Sequence, residues 1–167
     1  MEKVLTKIRQ YLTFKLEDVE YAIDVSKVRE VLEFELSTVT KLVGRDGYIS
    51  GVINLRGNVV PVMDLRLKFN MTKTEKSIDT CIIVLEVELD NEIVVIGILS
   101  DSVQEVIDLD SDHIEPAPKI GTAIDTDFIK GMGKRNEEFI VLLDIDRIFS
   151  ENELSALKSI NEEEAAN

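Results

Sequence analysis

The stretch GVINLRGNVVPVMDLR, Gly51 to Arg66, decides how this chain is read. Most of it has the β-branched, apolar character of a buried strand, yet Arg56 stands in its middle, Gly51 and Gly57 flank it, and Pro61 interrupts the second apolar run. These exceptions make sense as turn chemistry. Arg56-Gly57-Asn58 reads as the tip of a hairpin between Val52–Leu55 and Val59-Val60, because glycine and asparagine tolerate the left-handed backbone of a tight turn. Pro61 has no N–H to give to a ladder, so the return strand is expected at an edge or a bulge. Gly51 in a strand suggests a bulge or a close approach of two backbones. Arg56 then lies at a turn rather than in a core, where it reaches either an acidic side chain or a binding surface.

The same pattern occurs again further along. Val59-Val60-Pro61-Val62-Met63-Asp64-Leu65 aligns with Phe139-Ile140-Val141-Leu142-Leu143-Asp144-Ile145, and Tyr48–Val52 aligns with Phe128–Met132, both 80 residues apart. Val28-Arg29-Glu30-Val31-Leu32 aligns with Val103-Gln104-Glu105-Val106-Ile107, 75 residues apart. Three blocks recurring in one order indicate a degenerate duplication. Each repeat opens with a hairpin: Tyr11–Leu16, a polar turn over Glu17–Glu20 and a return from Tyr21, then Cys81–Val87, a turn over Glu88–Glu92 and a return over Ile93–Leu99. Helix signals are few. Asp24 is placed to cap a short turn. Ser150-Glu151-Asn152-Glu153 is a capping box, followed by Leu154, Leu157 and Ile160 on one stripe, which predicts a C-terminal helix over 150–161. The expected architecture is mainly β: approximate halves 11–76 and 77–149, each closing into a small barrel, with the helix packed outside. This architecture leaves room for the chain to exchange terminal segments between the barrels.

Composition narrows the function. The 167 residues are 44% hydrophobic and 31% charged, ordinary globular proportions. No apolar run approaches the roughly 18 residues of a membrane span, and Met1-Glu2-Lys3-Val4 opens no long apolar segment, so neither a signal peptide nor membrane insertion is expected. The single cysteine, Cys81, permits no internal disulfide and suits a reducing cytoplasm. A formal net charge of −14 repels nucleic acid and anionic lipid. That charge is lopsided: residues 1–76 carry 13 basic and 11 acidic side chains, residues 77–167 carry 6 and 22. The acidic half reads either as a solvated face or as a surface that steers a basic partner.

Catalytic and metal motifs fail residue by residue. An EF-hand starting at Asp108 needs glycine at its sixth place and glutamate at its twelfth, which hold His113 and Lys119. One histidine allows no two-histidine zinc site. Gly131-Met132-Gly133-Lys134-Arg135 lacks the earlier glycine and the magnesium-binding Ser or Thr of a phosphate loop. Cys81, within an apolar strand, reads as a buried, inert thiol. No enzyme, cofactor or metal is therefore expected. The alternative is a small acidic β-barrel ligand binder or enzyme using a cleft in the second half.

The block from Gly51 through Asn54-Leu55-Arg56-Gly57 to Asp64-Leu65-Arg66 resembles the signature of the CheW-like chemotaxis coupling proteins. Further features follow in that family's order: Tyr21-x-Ile23-Asp24, Val28-x-Glu30-Val31, Gly97–Asp101 into Val103-x-Glu105-Val106, and Ile114-x-Pro116-Ala117-Pro118 before Phe128-Ile129-x-Gly131. The resemblance runs from about Tyr11 to about Leu157. It implies two SH3-like five-stranded barrels packed together, and a cytoplasmic, non-catalytic adaptor recruited to membrane-associated receptor arrays. Its implied partners are chemoreceptor cytoplasmic tips and the regulatory domain of the histidine kinase CheA. The implied receptor groove lies between the barrels and uses Val28, Glu30, Gly51, Arg56, Val103 and Val106, with a salt bridge between Arg56 and Glu30. The implied kinase surface lies on the first barrel around Val39, Thr40 and Lys41. The family often has a proline in the loop before Gly51; here Leu42–Tyr48 has two glycines and none, which implies a looser loop.

Overall fold

Strands form where β-branched runs can bury both faces, and tight turns form where the chain tolerates positive φ. The computed structural model describes residues 8–34, 39, 48–116, 126–135 and 137–162. Its first repeat comprises β1 (Ile8–Leu16), β2 (Val19–Asp24), β3 (Val28–Glu33), β4 (Ile49–Leu55) and β5 (Asn58–Met63). Its second comprises β6 (Cys81–Leu89), β7 (Glu92–Ser100), β8 (Ser102–Asp110), β9 (Ile129–Arg135) and β10 (Glu138–Leu143). The β4–β5 turn is Arg56 and Gly57, with φ of 53° and 88°, and the β6–β7 turn is Asp90 and Asn91, with φ of 50° and 65°. Two consecutive positive φ values give the turn whose twist matches the strands it joins. The opening hairpins turn on two residues each, tighter than the four and five expected, because Val19, Leu89 and Glu92 join the ladders.

Two five-stranded sheets result, in the orders β3-β6-β7-β5-β4 and β8-β1-β2-β10-β9. Each combines the opening hairpin of one repeat with the last three strands of the other. The two opening hairpins thus exchange sheets relative to the approximate halves 11–76 and 77–149. The first barrel is the contiguous stretch Val28–Ser100, and the second is assembled from β1 and β2 together with β8 to β10.

The joint between hairpin and return strand is parallel and short in both barrels: Val62 and Met63 opposite Gly97 and Ile98, and Val141 and Leu142 opposite Tyr21 and Ala22. This corrects the expectation for Pro61. Strand β5 is internal, between β7 and β4. A proline is tolerated there because the ladder to β7 starts only at Val62. The gap beyond is bridged by Asn161, whose Nδ2 donates to the carbonyls of Val59 and Val95 (2.9 Å each) and whose Oδ1 accepts from Val95 N (2.8 Å). The glycine expectation holds at the matching places. Registers shift beside Gly51 and Gly131. A Cβ on Gly131 would lie 2.5 Å from Ile114 Cγ2 and 3.0 Å from the Glu115 carbonyl oxygen.

Alternation along the strands divides the apolar residues into three cores. Ile82, Val84, Val60 and Val62 fill the first barrel, while Tyr11, Ala22, Ile107, Ile140 and Leu142 fill the second. The opposite faces (Leu12, Phe14, Tyr21 and Ile23 from one sheet, Ile83, Leu85, Val94 and Ile96 from the other) meet in by far the largest cluster, between the barrels. This explains the nearly unbroken apolar runs of β6 and β7, since both faces are buried. At about 1.5–3 kcal/mol per fully buried large side chain, the seam is the main source of stability. The C-terminal helix (Glu151–Asn161) follows the capping box at Ser150 and Glu153. Its Leu154, Leu157 and Ile160 belong to the seam cluster, so the helix completes that core rather than sitting outside it.

Candidate functional site

The hairpin tip that carries Arg56 is fixed by its own sequence. Asn54 Oδ1 accepts from Gly57 N at 2.8 Å, which holds the turn and aims the arginine. The guanidinium donates twice to Glu30 on β3, Nη1 to Oε2 at 2.7 Å and Nη2 to Oε1 at 3.0 Å. The expected salt bridge therefore forms, as a two-pronged fork. The Arg56 hydrogen bonds hold the Glu30 carboxyl below the usual carboxylate range, against a smaller opposing effect of burial. Arg56 remains 70% exposed while Glu30 is 23% exposed. Solvent screens so exposed a clasp, which adds little to stability, so its value is geometric. Beside it lies a depression of about 360 Å³ lined by Arg29, Glu30, Leu55, Arg56 and Asn58, all from the first barrel. Its lining is more polar than the valine floor that the resemblance implies.

The other implied groove residues take different positions. Val28 and Val103, at matching places on β3 and β8, both lean on the seam cluster. Val106 is the exposed valine of the three, at 50%. Gly51 is buried in β4 opposite Val62. Val39 leans on the interior of the first barrel with Leu32 and Phe34, whereas Thr40 and Lys41 lie outside the described residues.

Sequence reasoning missed the polar links made by the segment after β5, one of which joins the barrels. Asp64, buried, caps the one-turn helix α1 (Leu65–Lys68) by accepting from Arg66 N, and also accepts from Thr74 N and Oγ1. Arg66 extends from the first barrel to Asp101 (3.1 Å) and to Glu17 (3.1 Å), the latter on the β1–β2 turn of the second barrel. Lys68 donates to both oxygens of Glu153 at 2.9 and 2.8 Å and lies 4.6 Å from the Tyr48 ring centroid and 5.5 Å from that of Phe149. The available signal was Asp64-Leu65-Arg66 itself, charges directly after a buried strand, with Asp144 at the matching place before a second one-turn helix, α2 (Ile145–Ile148).

The discounted chemistry has structural explanations. Asp110 caps the turn Ser111–His113 by accepting from Asp112 N, and His113 is exposed at its end. Among the described residues no group of three or more His, Cys, Asp and Glu is arranged to hold a metal ion, and no helix is long and apolar enough to cross a membrane. Cys81 opens β6 and is partly exposed rather than buried. Burial and then Glu33 push its thiol pKa up, away from the reactive thiolate. The depression on the second barrel lined by Asp112, His113, Glu115, Lys134 and Glu137 is open and mixes both signs of charge.

The family model for the CheW-like domain matches residues 10–153. This chain belongs to the CheW-like family. The chemotaxis protein CheW of Klebsiella aerogenes is 33% identical over 152 residues, covering 91% of this chain and 88% of that protein. The chemotaxis protein CheW of Bacillus subtilis is 33% identical over 138 residues, covering 82% and 84%. In three dimensions the chain resembles the crystal structure of the scaffolding protein TtCheW from Thermoanaerobacter tengcongensis, with a TM-score of 0.74 and 34% identity over 85% of this chain and 88% of that one. The fold is the two-subdomain SH3-like arrangement of CheW, and the family is one of chemotaxis scaffolds.

Proposed function

We propose that this CheW-like chain is a non-catalytic adaptor coupling the cytoplasmic tips of chemoreceptors to the regulatory domain of the histidine kinase CheA. The observation that carries the reading is the Glu30–Arg56 fork, a preorganised charged rim on a hairpin tip in a chain of a chemotaxis scaffold family. A rim of this kind selects and orients a helical partner while apolar contacts supply affinity. Val28, Val103 and Val106 would provide those contacts, and Gly51 would keep the β4 backbone close to its neighbours. The surface around Val39, Thr40 and Lys41 would face the kinase. The adaptor would work in the cytoplasm, held at receptor-containing membranes by its partners.

Co-sedimentation with receptor-containing membranes and CheA tests this. The chain is expected in the pellet when both are present, and Glu30→Arg or Arg56→Glu is expected to remove it from receptor membranes without CheA. A wild-type chain that stays in the supernatant with either partner would overturn the reading.

A further inference from the structure

The duplication that places Glu30 on β3 places Glu105 on β8, 75 residues later. The hairpin β4–β5 that carries Arg56 corresponds to β9–β10 at an offset of 80, so the position matching Arg56 is Asn136. The second barrel nevertheless holds an arginine–glutamate pair at this place: Arg135, the last residue of β9, binds Glu105. The clasp is rebuilt from one residue earlier, so the same chemistry recurs although the aligned residue differs.

The position of Glu105 is fixed. The Oγ1 of buried Thr13 donates to the Glu105 carbonyl at 2.8 Å and accepts from Glu105 N at 3.1 Å. This pins β8 at a register shift in its ladder with β1, matching the shift beside Glu30 on β3. Glu105 lies between Val103 and Val106, two residues of the proposed receptor site. Its side chain is 50% exposed and that of Arg135 is 35% exposed. A guanidinium carries five N–H donors and a carboxylate engages at most two of them in a fork, so each clasp retains donors for a partner. Residues 77–167 carry 22 acidic and only 6 basic side chains, which makes Arg135 a rare cation there.

We propose that Arg135, held by Glu105, is a second specificity-determining residue of the receptor site, serving the β8 side as Arg56 serves the β3 side. The inference rests on the receptor-docking reading above. Arg135 masks a carboxylate that would repel acidic receptor side chains and offers them a guanidinium instead.

The test uses the full chain and a soluble cytoplasmic-tip fragment of a chemoreceptor, with dissociation constants measured at low and high salt and a thermal melt for every variant. Arg135→Glu is expected to weaken binding about fivefold at low salt, with the loss shrinking as salt screens the rim. The swapped pair E105R/R135E is expected to recover most of it, and Arg135→Lys to lose less than Arg135→Glu. An exposed pair contributes little to stability, so the melts should stay close to wild type. Should Arg135→Glu unfold the chain, the swapped pair decides alone, and a folded swap that binds as weakly as Arg56→Glu counts against the proposal. If Arg135→Glu binds like wild type while Arg56→Glu loses the fragment, the inference falls and the receptor reading stands. If the wild-type chain does not bind the fragment, both fall.

Discussion

Removing the Asn161 side chain tests how the first barrel closes. The amide makes three hydrogen bonds to the backbone of β5 and β7, to Val59 O, Val95 O and from Val95 N. They fall where β5 and β7 part, beyond the short ladder that starts at Val62. A typical intramolecular hydrogen bond contributes about 0.5–1.5 kcal/mol net. Asn161 is half-buried, so water reaches part of the gap, and Asn161→Ala is expected to cost about 2 kcal/mol, the low end of the sum for three such bonds. With a urea slope of about 2 kcal/mol per molar, the unfolding midpoint should fall by roughly 1 M. Asn161→Asp sharpens the test. It keeps an acceptor for Val95 N but turns an anionic oxygen toward two carbonyls, at a helix C-terminus that disfavours negative charge. Aspartate should therefore be worse than alanine. An alanine variant within about 0.2 M of wild type, or an aspartate variant more stable than it, would refute the bridge.

Three further outcomes follow from the geometry. Burial raises the Glu153 carboxyl pKa, but the Lys68 hydrogen bonds and the Ser150 N–H more than offset this, leaving it below the ordinary value. Its contribution is then intact above the unfolded carboxylate pKa of about 4.3 and is lost as pH falls through the lower folded value. Urea midpoints should drop from pH 5 to pH 3 more steeply for wild type than for Glu153→Gln, which keeps the capping box; parallel curves would exclude the Lys68 pairing as the cause. Gly131→Ala should lower stability by about 1–3 kcal/mol, since its Cβ meets Ile114 and the Glu115 carbonyl, and a chemical melt unchanged from wild type would show that β9 moves aside freely. Arg56→Ala should shift the melting temperature by no more than a few degrees yet reduce capture of the receptor fragment, separating a binding role from a structural one.

The sequence showed its repeat, its hairpins and its capped helix because each rests on local chemistry: alternation, turn residues, a serine three places before a glutamate. The Glu30–Arg56 contact was expected from resemblance, and the turn at Arg56-Gly57 explains why it forms. Which segments exchange between the barrels lies beyond local reading. A repeat specifies which strands resemble each other, whereas pairing between β3 and β6, or between β1 and β8, is set by which faces bury together in the seam. Pro61 misled for a related reason: its missing donor signalled an edge, but the ladder from β5 to β7 begins only at Val62, and beyond it Asn161, a hundred residues away, links the two strands. Arg66 stood in plain view after β5, and only the folded chain shows that it reaches the β1–β2 turn of the other barrel.

The contiguous first barrel, inserted between the second strand and the eighth, imposes a schedule on synthesis. Once Ser100 has left the ribosome, everything that barrel needs except its closing helix is present. The hairpin β1–β2, made earliest, must wait for β8, β9 and β10, with Phe14, Tyr21 and Ile23 able only to lean on the finished neighbour. The oldest part of the nascent protein is thus the last to find its own sheet, and the half-made chain carries an adhesive hairpin throughout that delay.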